Sequence, residues 1–166
     1  MTDIQVGILV GSASDLPTIE KAGVILEKFG VAHELRVLSA HRSANLLARY
    51  VRAGEKAGVR VFIAGAGAAA ALPGAVAALT TRPVLGVPLP SSHLNGLDAL
   101  LAIAQMPAGT PVGALAIGTA GSRNAALLAV QILALSDGRL AAALRRHKAD
   151  QEAAVGKKDA KVRKQG

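Results

Sequence analysis

Five short apolar runs recur along the chain: IQVGILV (4–10), HELRVLS (33–39), RVFIAGA (60–66), PVLGVPL (83–89) and VGALAIG (112–118). Four are almost continuously apolar, as expected of strands buried on both faces of a parallel sheet. The second alternates, with Glu34 and Arg36 on one side, which places it nearer a sheet edge. Helical patterns lie between the runs. Leu16, Ile19, Gly23, Leu26 and Phe29 form one stripe, closed by Gly30. Leu46, Leu47, Tyr50, Val51, Gly54 and Ala57 form a second, closed by Gly58. Gly54 weakens that helix slightly but lets it pack closely on a sheet. NAALLAVQILAL (124–135) is a third, strongly apolar helix. Regular alternation of strand and helix implies right-handed crossovers that place helices on both faces of the sheet.

The expectation is therefore an α/β fold, a three-layer α/β/α sandwich with a five-stranded parallel, flavodoxin-like sheet. With 166 residues and no internal linker, the chain reads as one α/β domain over residues 1–150 with a basic tail over 151–166. Aromatic residues are only 2%, so Ala, Val, Leu and Ile must fill the core. No apolar run is long enough to span a bilayer, and the opening MTDIQVGILVGSASD lacks a basic leader segment. Cysteine is absent, which excludes a disulfide framework and a thiolate centre. A soluble cytoplasmic protein is expected.

The net charge of +8 suggests a nucleic-acid partner until it is located. Residues 139–166 hold nine basic residues (Arg139, Arg145, Arg146, Lys148, Lys157, Lys158, Lys161, Arg163, Lys164) against Asp150, Glu152 and Asp159, a net of +6. The remaining 138 residues carry +2. No aromatic side chains are interleaved with these cations to stack on bases. A solvated C-terminal helix and frayed tail is the main expectation, an anionic partner the other, and neither nucleic acid nor membrane is expected as a partner.

Ligands of such folds bind beyond the carboxyl ends of the strands. The five loops there read GSASD (11–15), SAHRS (39–43), GAGAAAALPG (65–74), PSSHLNG (90–96) and GTAGSRN (118–124). In the first, Ser12 and Ser14 can add hydroxyl donors to a helix N-terminus that suits an anion, or Ser14 or Asp15 can simply cap the helix ahead of Pro17. In the second, Ser39 and Ala40 lead to His41, which can move a proton near neutral pH, and Arg42, which can clamp a phosphate. His33 and His147 read as structural or solvent-exposed, while a minor role for His93 stays open. In the third, Gly65 and Gly67 allow positive φ and let a flat ligand lie on the main chain beside Ala66, Ala71 and Leu72. Tight packing of helix on sheet accounts for the alanines equally well.

Together, GSASD, SAHRS, AGAGAAAALPG, PVLGVPL, LNGLDALLAIAQMPAGTPVGALAIG and NAALLAVQIL resemble, in order and spacing, the 5-(carboxyamino)imidazole ribonucleotide mutases of purine biosynthesis. Their relatives include the aminoimidazole ribonucleotide carboxylases. The resemblance runs from about residue 5 to 145. It implies a homo-octamer with sites near subunit interfaces, no metal or organic cofactor, and carbon dioxide as a trapped intermediate. It further implies that Ser12 and Arg42 meet the substrate phosphate, Asp15 meets the ribose hydroxyls and His41 is the general acid/base. Residues Gly65 to Gly74 would form the wall against the imidazole ring. Two departures stand out. Ala71 occupies the place of the histidine in the mutases' AAHLPG, and Ser43–Ala44 replace the Thr-Pro of SAHRTP. A carboxylase using free carbon dioxide, and a nucleotide-binding paralogue with reduced turnover, are the alternatives to a mutase.

Overall fold

The computed structural model describes residues 4–163. Lys164 and the rest of the expected tail beyond Arg163 lie outside the described residues. Contacts divide the chain into two units, one ending at Val130 and one beginning at Gln131.

The first unit holds the sheet. Its strands are β1 (Val6–Val10), β2 (His33–Val37), β3 (Val61–Gly67), β4 (Val84–Leu89) and β5 (Gly113–Ala114). They pair in parallel in the order β2-β1-β3-β4-β5, a flavodoxin-like arrangement whose order reverses between β1 and β3. Val6–Val10 lies opposite His33–Val37 on one side and Val61–Gly65 on the other. The helices of this unit are α1 (Leu16–Lys28), α2 (Ala44–Lys56), α3 (Ala71–Ala77), α4 (Leu97–Ala104) and most of α5 (Gly118–Ala134). The second unit holds the end of α5 and α6 (Gly138–Arg163), which is solvent-exposed from Lys148 to Arg163. No helix among the described residues is long and apolar enough to cross a membrane.

The core follows the apolar runs. β1 and β4 are buried along their whole length, and β3 up to its final residue. Ile19, Ala22 and Leu26 of α1 and Leu47 and Val51 of α2 are buried beside them. Leu46, expected in the second stripe, is exposed instead. The alternation in the second run reports an edge, as expected. Glu34 and Arg36 sit on one face of β2 and form an exposed ion pair at 3.1 Å. Gly30 and Gly58 close α1 and α2 with φ of 66° and 107°, conformations that glycine adopts at little cost.

The last run departs from expectation. Only Gly113 and Ala114 form a strand, both are exposed, and β5 is the other edge of the sheet. Apolar composition alone cannot tell a strand covered on both faces from one at an edge. GTAGSRN (118–124) is no loop either: it is the first two turns of α5. A Cβ at Gly121 would collide with the Ala116 carbonyl, so glycine here lets the first turn of α5 close against the segment that leads into it.

Candidate active site

At the carboxyl ends of β1 to β4 the chain forms an open pocket of about 360 Å³, within the range of small-molecule sites. Three loops build most of it, and each is shaped by its sequence.

After β1, Ser12 takes an extended backbone (φ −145°) and caps a single 3-10 turn at Ala13–Asp15. Its Oγ accepts from the Ser14 N–H at 3.3 Å and from the Ser14 hydroxyl at 2.8 Å. With both lone pairs engaged, the Ser12 hydroxyl proton is left to be donated. Asp15 stands at the N-cap position of α1 but makes no capping hydrogen bond, and Pro17 follows in the first turn. Its carboxylate lines the cavity, where burial raises its pKa above the usual 3.8.

That shift has a direction that can be checked. The folded state holds the Asp15 proton more tightly than the unfolded chain, so this residue's stabilising contribution is complete below its unfolded pKa. It is lost as the pH rises through the folded value. Asp15→Asn should therefore melt at or above the wild-type temperature at pH 7, and the difference should vanish as the pH falls into the range where Asp15 protonates. Melting curves between pH 3 and 7 check this; a variant less stable at pH 7 would contradict it.

After β2, the loop Ser39–Ser43 is closed on itself. Ser39 Oγ accepts from the Arg42 N–H at 3.2 Å and from Arg42 Nε at 3.4 Å. The guanidinium then reaches across to β1's loop, where Nη2 donates to the Gly11 carbonyl at 2.8 Å. Arg42 thus ties two loops together and keeps further N–H groups for an anion. His41, beside it, is exposed, lines the cavity and makes no side-chain hydrogen bond among the described residues.

After β3 the wall is made of Ala66, Gly67, Ala68, Ala69, Ala70, Ala71 and Leu72. The positive φ that Gly65 and Gly67 would allow is found on Ala68 (51°) and Ala70 (46°) instead. Each costs on the order of 1–2 kcal/mol for an L-residue, a strain held in place by the surrounding fold. The two glycines are extended members of β3. They are required for close approach: a Cβ on Gly67 would strike the Ser91 side chain. One on Gly65 would meet Ile19 at 3.0 Å, and Leu89 and Val10 at 3.3 Å.

Of the residues singled out from the sequence, Ser12, Ser14, Asp15, Ser39, Ala40, His41, Arg42, Ala66, Gly67, Ala71 and Leu72 line this cavity, while Gly65, Pro73 and Gly74 of the expected wall do not. His93 and Arg123 do not line it, and His33 turns Nδ1 to the Val31 carbonyl at 3.1 Å. Ser91, from the fourth loop, was missed. The signal was its place one residue past Pro90 at the end of β4, beside a glycine that makes room for it.

Known proteins resemble this chain in sequence and in fold. The N5-carboxyaminoimidazole ribonucleotide mutase of Vibrio vulnificus is 50% identical over 92% of this chain and 94% of its own length. The enzyme of the same name from Pyrococcus horikoshii is 47% identical over 97% of this chain and 90% of its own. The crystal structure of Treponema denticola PurE superimposes with a TM-score of 0.87 at 28% identity, covering 95% of this chain and 97% of that one. The family model described as AIR carboxylase matches residues 5–154. By both measures, the chain belongs to the AIR carboxylase family.

Proposed function

We propose that the chain is a mutase that converts 5-(carboxyamino)imidazole ribonucleotide to 4-carboxy-5-aminoimidazole ribonucleotide in purine biosynthesis. The observation that supports this most is how the cavity lining is divided. Along the sheet, the loops after β2 and β1 supply a guanidinium and hydroxyls, and the loop after β3 supplies only small apolar groups. A ribonucleotide has matching chemistry, with a phosphate at one end and a flat heterocycle at the other.

In this reading Arg42 and Ser12 hold the phosphate, with Ser14 and Ser39 supporting them, and Asp15 accepts from the ribose hydroxyls. Ala66, Gly67, Ala71 and Leu72 cover the imidazole ring and exclude water from the released carbon dioxide. His41 carries the proton. The N–C bond of the carbamate breaks to release carbon dioxide as the exocyclic nitrogen takes a proton from the imidazolium. The ring carbon then attacks the retained carbon dioxide, and the neutral imidazole removes the proton displaced from that carbon. One proton is lent and returned, so the reaction is a net isomerisation. The assay is conversion of the carbamate ribonucleotide by the pure protein without bicarbonate; absence of product would reject the reading.

Ala71 places a methyl at the first residue of α3, on the cavity wall, where the resembled mutases carry histidine. Alanine cannot donate a hydrogen bond to the migrating carboxylate. Ala71→His should therefore speed turnover, on the order of 10–1000-fold if the restored donor acts mainly in the transition state. Steady-state kinetics on a variant shown by melting to be folded decide this; a folded variant that is no faster would show that the site works around Ala71.

We further assign a cytoplasmic location and a homo-octamer. The assembly is supported by Leu94, Leu97 and Leu101, large apolar side chains grouped at α4 and each half or more exposed. Light scattering should give a mass well above a dimer, and a monomer at micromolar concentration would exclude it.

A further inference from the structure

Ser43 stands at the N-cap position of α2, where serine ordinarily turns its hydroxyl toward the first free N–H groups of the helix. Here it makes no such bond. Its Oγ points back along the chain, accepting from the Ser39 N–H at 2.8 Å and donating to the Ser39 carbonyl at 3.1 Å. The Ser43 N–H donates to the same carbonyl at 3.0 Å. Both backbone groups of Ser39 are thus held by one residue four positions away, and that residue is half-buried and absent from the cavity lining.

The consequence passes along a chain of bonds. Ser39, held at its backbone, presents Oγ to the Arg42 N–H and Nε. Arg42, so oriented, reaches the Gly11 carbonyl across the mouth of β1. His41 is carried on the same closed loop. Arginine is a long side chain with much rotamer freedom, and fixing it before the ligand arrives removes a cost that binding would otherwise bear. Without the Ser43 hydroxyl, the Ser39 N–H loses its partner, and the Ser43 N–H bond to the Ser39 carbonyl is left to hold the loop alone.

We propose that Ser43 is a positioning residue, which forgoes capping α2 in order to hold loop 39–43 in the shape that presents His41 and Arg42 to the substrate. The assignment rests on the mutase reading above, so one of its measurements needs no turnover.

The test compares wild type, Ser43→Ala and Ser43→Thr, by steady-state kinetics with the carbamate ribonucleotide and by residue-resolved amide hydrogen exchange on the unliganded protein. Ser43→Ala should raise KM about tenfold or more and lower kcat much less. Its Arg42 amide should exchange at least about tenfold faster. Ser43→Thr, which keeps the hydroxyl, should bring both within about threefold of wild type. Because the hydroxyl does not cap α2, Ser43→Ala should melt within a few degrees of wild type. An unchanged KM, an unchanged Arg42 amide, a folded threonine variant that fails to restore them, or an alanine variant that melts far lower would each overturn the assignment. If wild type itself does not turn over, the mutase reading fails. The Arg42 amide then decides the role of Ser43 alone: faster exchange in Ser43→Ala, restored in Ser43→Thr, supports it, and no change overturns it.

Discussion

Replacing His41 with asparagine should reduce turnover by about 10²–10⁴-fold while leaving the ribonucleotide's Kd within about tenfold. Asparagine keeps a polar side chain of similar reach but cannot take up and return a proton near neutral pH. The imidazole is exposed and forms no side-chain hydrogen bond among the described residues, so its loss should leave the loop intact. That loop is held by Ser39, Arg42 and Ser43 instead. Single-turnover rates and calorimetric binding on the same preparation separate the two effects. Normal rates in His41→Asn would remove the proton carrier from the account, and a parallel collapse of affinity would make His41 a binding group.

Arg42→Ala should do the reverse. The guanidinium spends Nη2 on the Gly11 carbonyl and Nε on Ser39, and its remaining N–H groups are free for a phosphate. Removing a charge-assisted anion contact costs roughly 2–4 kcal/mol, a loss of about 30- to 800-fold in Kd. The tether between the first two loops goes with it, so the lower figure is a floor. The loss should shrink as salt is added, because part of it is Coulombic and screened. Binding of the ribonucleotide, measured by calorimetry at two ionic strengths, checks this; an affinity within twofold of wild type would show that another group holds the phosphate.

Some of this was readable in the amino-acid sequence, for reasons that particular residues make plain. Glu34 and Arg36 marked β2 as an edge because charged side chains on one face of a strand need water. The runs of β1, β3 and β4 marked the buried centre because only apolar groups tolerate cover on both faces. The fifth run carried the same signal and is an exposed edge, since apolarity reports a wish for cover and not what provides it. GTAGSRN looked like a loop by composition, yet it is helical, and Gly121 lets its first turn close against the Ala116 carbonyl. The backbone of the third loop was beyond reach. Alanine ordinarily avoids the left-handed region, so nothing local marks Ala68 and Ala70 as the residues that enter it. Nor could spacing show which way the Ser43 hydroxyl turns, since a serine before a helix is the usual sign of a cap. Residue types carried the site's chemistry; its preorganisation lies in hydrogen bonds that only the fold sets.

A carboxyl group that is released and recaptured within one site keeps its own carbon atom, and isotope tracing follows that atom. The pure protein is given carbamate ribonucleotide labelled with ¹³C at the carboxyl group, in buffer containing unlabelled bicarbonate, and the carboxylated product is examined by mass spectrometry. The expected product keeps the label, because the carbon dioxide released beneath Ala66 to Leu72 is recaptured before it meets the solution. Product that has lost the label to the bicarbonate pool, or that forms only from aminoimidazole ribonucleotide and bicarbonate, would contradict the account and make the chain a carboxylase.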